Sequence, residues 1–127
     1  MKITPILYVD AIEPSLAFWQ HKLGFGKTVA VPEGDRLGFV ILEKGKAELM
    51  LQTRASLEND MPALLEFARP AACLFIEVDD FAHMLMRLDG VEVVVPVRTT
   101  FYGMQEIVVR EPGGNLVCLA APVSEAA

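Results

Sequence analysis

An α+β fold built from two copies of one βαβββ module is the architecture that this 127-residue sequence predicts. Three observations point there. Apolar residues switch between a period of two and a period of about 3.6, the signatures of strand and helix. The element order that results is strand, helix, strand, strand, strand, and it occurs twice. Residues also echo between the halves: Val9-Asp10 lines up with Val78-Asp79, and Leu23-Gly24-Phe25 with Leu88 to Val91. A repeat this long makes two units and not a solenoid. Each half alone would bury only one sheet face, so the halves are expected to pack side by side.

The elements follow in order. Ile3 to Val9 is apolar with an early proline and reads as a strand. Ile12, Leu16, Trp19 and Leu23 then fall on one face of a helix. Pro14 suits its first turn, and Gly24 suits the left-handed stop just past its end. Strands are expected at Phe25 to Val31, Leu37 to Glu43 and Ala47 to Gln52, separated by Pro32-Glu33-Gly34-Asp35 and Lys44-Gly45-Lys46. This is module one, about residues 1–53. A linker over about 54–70 carries a short helix near Met61 to Phe67. Module two, about 71–121, opens with a strand at Cys73 to Val78. Asp79 or Asp80 serves as N-cap of a helix whose face is Phe81, Leu85 and Leu88, ending at Asp89-Gly90. Strands follow at Val91 to Val95, Met104 to Arg110 and Asn115 to Ala120, with Arg98 to Gly103 as a crossing and Pro112-Gly113-Gly114 as the last turn.

Composition narrows the function. A chain of this length suits a single domain, here taken as residues 1–127. Apolar residues make up 53% and charged residues 22%, enough for a real core. The apolar runs are too short to span a bilayer, and Met1-Lys2 leads into Ile3-Thr4-Pro5 without a secretory pattern. The expectation is a cytoplasmic protein with no membrane partner. A net charge of −6 argues against nucleic acid, whose affinity comes mainly from Lys and Arg meeting phosphates. Cys73 and Cys118 are too far apart in sequence for a CxxC motif, and cytosolic thiols are expected reduced.

Four segments carry a family resemblance. They are Ser15-Leu16-Ala17-Phe18-Trp19 with Leu23-Gly24-Phe25; Glu48-Leu49-Met50-Leu51-Gln52; Leu74 to Phe81; and Tyr102-Gly103-Met104 with Arg110-Glu111-Pro112-Gly113-Gly114-Asn115. In this order and spacing they resemble the vicinal-oxygen-chelate superfamily of glyoxalases, bleomycin-resistance proteins and extradiol dioxygenases, over about residues 3 to 121. Glu111 stands where that family usually has Asp. The resemblance implies two modules paired into a cupped mixed sheet, helices on its outer face and a pocket inside. Metal-dependent members place His or Glu at four inward positions, which correspond here to Thr4, Glu48, Cys73 and Cys118. Only Glu48 is a usual ligand for a hard divalent ion. His21 and His83 fall on the covering helices and do not fill the gap. The chain is therefore more similar to the bleomycin-resistance branch, which lacks the cage and shares its pockets between two subunits.

The candidate ligand-binding residues are Thr4, Phe39, Glu48, Met50, Cys73, Phe101, Tyr102 and Cys118, with no metal ligands, no cofactor and no assigned catalytic residue. Glu48 either faces the pocket, where it could pair a cation or act as a base, or faces solvent, because a one-residue slip flips its side. Met50 shares the face of Glu48, with Leu49 and Leu51 turned toward the helices. Cys73 and Cys118 are either a reactive, disulfide or soft-metal pair, or two small buried apolar residues. Phe39, Phe101 and Tyr102 rim a cavity or join the core, whereas Trp19 belongs to the core. Arg54 either meets an anion at the pocket mouth or is solvated. Met50, Met84, Met86 and Met104 either line an adaptable pocket or fill the core. The expected function is metal-independent binding of a small, partly apolar molecule, an antibiotic for instance, by a homodimer. The alternative is a lyase, isomerase or dioxygenase-type enzyme that uses Glu48 with an atypical or absent metal site.

Overall fold

The computed structural model describes residues 1–123. They divide into two compact units. One is Met1–Pro70 with Pro112–Gly114; the other is Ala71–Glu111 with the chain from Asn115 onward. Both are α+β.

The first unit holds β1 (Ile6–Val9), α1 (Ile12–Leu16), β2 (Gly26–Glu33), β3 (Arg36–Lys44), β4 (Ala47–Thr53) and α2 (Arg54–Asp60). Its sheet has the order β1-β4-β3-β2, with β1 parallel to β4 and the other pairs antiparallel. One face is closed. Leu7, Val9, Val40, Leu42, Leu49 and Leu51 are buried there, and α1 packs against β3 and β4. Burial of Leu49 and Leu51 between half-exposed Glu48 and Met50 is the alternation expected of β4.

The first helix is not regular throughout. After Leu16 it widens into a π-helical segment, Ala17–Lys22, in which Leu23 N donates to Phe18 O at 3.1 Å. The extra residue per turn brings Phe18 and Trp19 inward together, and Leu16 is left half-exposed. Trp19 meets Phe18 and Phe25 edge-on, with centroids 5.1 and 5.4 Å away. Gly24 adopts φ 82° at the helix end, as expected, while Lys44 Nζ caps the Leu23 carbonyl at 2.6 Å.

Two of the strands that run further than expected continue through an internal proline. β2 continues past Val31 to Glu33 with a register shift at Pro32. In the second unit β6 (Glu92–Thr99) continues through Pro96, with its register shifting between Val95 and Arg98. Each is an edge strand, where a missing N–H costs no ladder bond. The segment after β4 is also more ordered than a linker with one helix. Thr53 caps α2 by accepting from Ser56 N at 3.1 Å, and a 3-10 turn, Pro62–Phe67, follows.

The second unit adds β5 (Cys73–Glu77), α3 (Phe81–Arg87), β7 (Met104–Arg110) and β8 (Leu116–Pro122) around β6, in the order β5-β8-β7-β6. β5 runs parallel to β8, so the topology repeats that of the first sheet. Asp80, and not Asp79, caps α3: its Oδ1 accepts from His83 N at 3.0 Å. Val109, Val117 and Leu119 form the closed face, and α3 packs on β8. Among the described residues no helix is long and apolar enough to cross a membrane.

Candidate functional site

The face of the first sheet opposite its leucine and valine core carries the ionisable side chains. Strand register puts Glu48, Met50 and Gln52 of β4 on that face beside Glu43, Ile41 and Phe39 of β3, with Ile6 opposite Met50 on β1. Phe39, Ile41 and Met50 are half-buried and form an apolar patch. Glu48 sits at one end of it with 13% of its side chain exposed. Thr4, just before β1, donates from Oγ1 to Glu48 Oε1 at 3.0 Å, and Lys2 Nζ lies 3.0 Å from the same oxygen. Four of the residues singled out from sequence thus share one face: Thr4, Phe39, Glu48 and Met50.

Glu43 had not been singled out. It stands directly opposite Glu48 across the β3–β4 ladder. Hydrogen bonding from the Glu43 carboxyl, then from Lys2 and Thr4, holds the Glu48 carboxyl below the ordinary glutamate value. The same shared bond raises Glu43, with loss of hydration adding to the effect. As pH rises, Glu48 therefore ionises ahead of Glu43. Only the hairpin register could have disclosed this pairing in the sequence.

In the second unit Cys118 of β8 is buried and Cys73 of β5 is exposed; neither forms a disulfide. Cys118 lies across from Phe75 in the parallel ladder, two residues along from Cys73, and the two share a face. Cys73 is thus no buried apolar filler. Cys118 Sγ is 3.7 Å from Glu106 Oε2, and Glu106 pairs with Arg98 Nη2 at 2.6 Å. Burial, then the Glu106 charge and the neighbouring Cys73, push the Cys118 thiol up to about 11. Phe101 and Tyr102 form the β6–β7 turn. They are 100% and 59% exposed and stacked edge-on at 5.0 Å, so neither joins the core. Of the methionines, Met84 is buried in the core and Met86 is exposed. Arg54 is engaged with backbone: its terminal nitrogens donate to the carbonyls of Ala68 and Leu65.

These donors do not suit a hard divalent ion. Glu48 is engaged with the Lys2 ammonium and the Glu43 carboxyl, and Thr4 offers a neutral hydroxyl; in the second unit Cys118 holds its proton. No group of three His, Cys, Asp or Glu side chains among the described residues could hold a metal ion.

The comparisons with known proteins agree with the fold. The family described as the Glyoxalase/Bleomycin resistance protein/Dioxygenase superfamily matches residues 2–119, and the chain belongs to it. Among solved structures it is similar to a glyoxalase/bleomycin resistance protein/dioxygenase from Nocardioides, at 18% identity and TM-score 0.73, over 99% of this chain and 86% of that one. TioX from Micromonospora sp. ML1 superposes over 100% of both chains at 16% identity and TM-score 0.74. A lactoylglutathione lyase from Agrobacterium tumefaciens matches 94% of this chain and 92% of its own, at 19% identity and TM-score 0.70. No curated protein matches the sequence.

Proposed function

We propose that this protein binds a small, partly apolar cationic molecule without the help of a metal ion, sequestering it rather than transforming it. The observation that carries this reading is Glu48: an anion, partly shielded from water, at the edge of the apolar patch of Phe39, Ile41 and Met50. A carboxylate there offers an ion pair, and the patch offers burial at about 25 cal/mol per Å². Lys2 is 70% exposed on a flexible stem, so a ligand cation can displace it at little cost. An antibiotic with an amine or guanidine and an aromatic body fits this chemistry, taken up in the cytoplasm by a homodimer with two equal pockets.

The competing reading makes Glu48 the base of a lyase or isomerase, and the carboxyl–carboxyl contact between Glu43 and Glu48 favours it. A carboxyl lowered from its ordinary value is, however, a poorer base near neutral pH, which weighs toward binding. Titration of the purified protein with a cationic aromatic amine, followed by calorimetry, tests the choice. Glu48→Gln is expected to weaken binding by about 1–3 kcal/mol with an unchanged far-UV spectrum. Equal affinity in the variant, or about one Mg, Mn or Fe per chain by elemental analysis, would contradict the proposal.

A further inference from the structure

The other end of β4 holds a different chemistry. Arg54 follows the strand directly, roughly 20 Å along from Glu48 at the rise of an extended chain. There Tyr8, Asp10, Arg54, Arg69, Pro70 and Gly113 line a cavity of about 250 Å³, all within the first unit. We infer that this cavity binds a small organic carboxylate, which Arg69 and Arg54 hold between them.

The charge balance points to an anion. Two guanidinium groups line the cavity against one carboxylate, that of Asp10, in a chain whose net charge is −6. Asp10 is 95% exposed and 4.0 Å from Arg54 Nε, a surface pair of the kind that contributes little. A ligand carboxylate can take its place. Arg54 is also preorganised. The Ala68 and Leu65 carbonyls each take one donor from its terminal nitrogens, which fixes the plane of the group and leaves further N–H groups to offer. Holding a guanidinium in place before binding spares the ligand the cost of ordering it.

The walls are built as well as charged. Gly114 sits at φ 97°, and a Cβ there would come 3.0 Å from Pro70 Cγ, so the turn that brings in Gly113 closes on Pro70 only because a glycine follows it. Tyr8 adds a ring that can cover an apolar ligand body. Size and charge narrow the ligand class. The volume is below that of pockets for drug-sized molecules, which calls for a compact acid. A planar carboxylate meets a guanidinium fork side-on with a single charge, whereas a phosphate dianion would suffer more from Asp10 nearby.

Calorimetric titration of the full-length protein with benzoate and with inorganic phosphate tests this. Benzoate is expected to saturate one site, and phosphate to bind at least about tenfold more weakly. Arg69→Gln should weaken benzoate by about tenfold, the loss of one charge-assisted hydrogen bond. Asp10→Asn should strengthen it by about threefold, a gain that a merely structural role would not produce. Both side chains are at the surface, so both variants are expected to fold. Glu48→Gln should leave benzoate binding unchanged, which keeps this site separate from the one proposed above. Absence of saturable benzoate binding, an unaltered affinity in Arg69→Gln, or an equal loss in Glu48→Gln would each overturn the inference, and tighter binding of phosphate would overturn the carboxylate assignment.

Discussion

Cys73 and Cys118 look equivalent in the sequence, as module starts and ends do, yet neighbours make them chemically different. Cys73 is exposed, while Cys118 is buried against the Glu106 carboxylate with its thiol at about 11. Thiolate, not thiol, is the nucleophile, so iodoacetamide at pH 8 is expected to label Cys73 and spare Cys118 until the protein is unfolded. Peptide mass mapping would check this; early labelling of Cys118 would contradict it. The same shift has a consequence for stability. The folded value lies above the ordinary 9.0, so the folded chain keeps this proton over a window where the unfolded chain loses it. Its contribution is present below pH 9 and is lost as pH rises toward about 11. Urea melts of wild type and Cys118→Ala from pH 8 to 11 should converge as pH rises; parallel curves would argue against the shift. Glu48 shows the same dependence on neighbours. Its type and motif marked it as a candidate, but the lowering of its carboxyl below the ordinary glutamate value comes from Glu43, Lys2 and Thr4.

Local rules located most elements and failed where a strand edge or a close approach intervened. Pro32 and Pro96 read as strand stops, since proline removes a ladder donor; both lie within edge strands at register shifts, where no partner asks for that donor. Thr53 accepts from Ser56 N and starts α2, where the sequence pattern suggested only a linker. Gly38 marks a contact that no local pattern discloses. A Cβ on it would come 2.6 Å from Glu33 Cβ and 3.2 Å from Ser56 Cβ, which is how closely β2 and α2 approach β3 there. Gly38→Ala is expected to cost about 1–3 kcal/mol through overpacking. Gly26→Ala, whose new Cβ would lie 3.7 Å from the Glu43 carbonyl, serves as the control and should change stability little. Thermal denaturation of the two variants checks this, and equal melting temperatures would show that the contact is not tight.

For the whole molecule, the edge strands bear on assembly. Val29 and Val31 on β2 and Val93, Val95 and Val97 on β6 are between 36% and 48% exposed, apolar surface on strands with unpaired edges. Such edges invite pairing unless something blunts them, and here the prolines and bulges do so only in part. The proposed homodimer would cover part of this surface. Light scattering is expected to give twice the chain mass of 13.9 kDa at micromolar concentration, and a monomer would contradict it. By itself the sequence determined the order of elements in both modules, the helix stop at Gly24, and that Leu49 and Leu51 of β4 share one face while Glu48 and Met50 share the other. Those follow from the alternation of side chains and from capping, which act between near neighbours in the chain. Only the tertiary structure decided that Glu43 meets Glu48, that Glu106 meets Cys118, and that Arg54 and Arg69 line one cavity. Those contacts depend on strand register and on where distant segments come to rest, and no periodicity in the sequence encodes either.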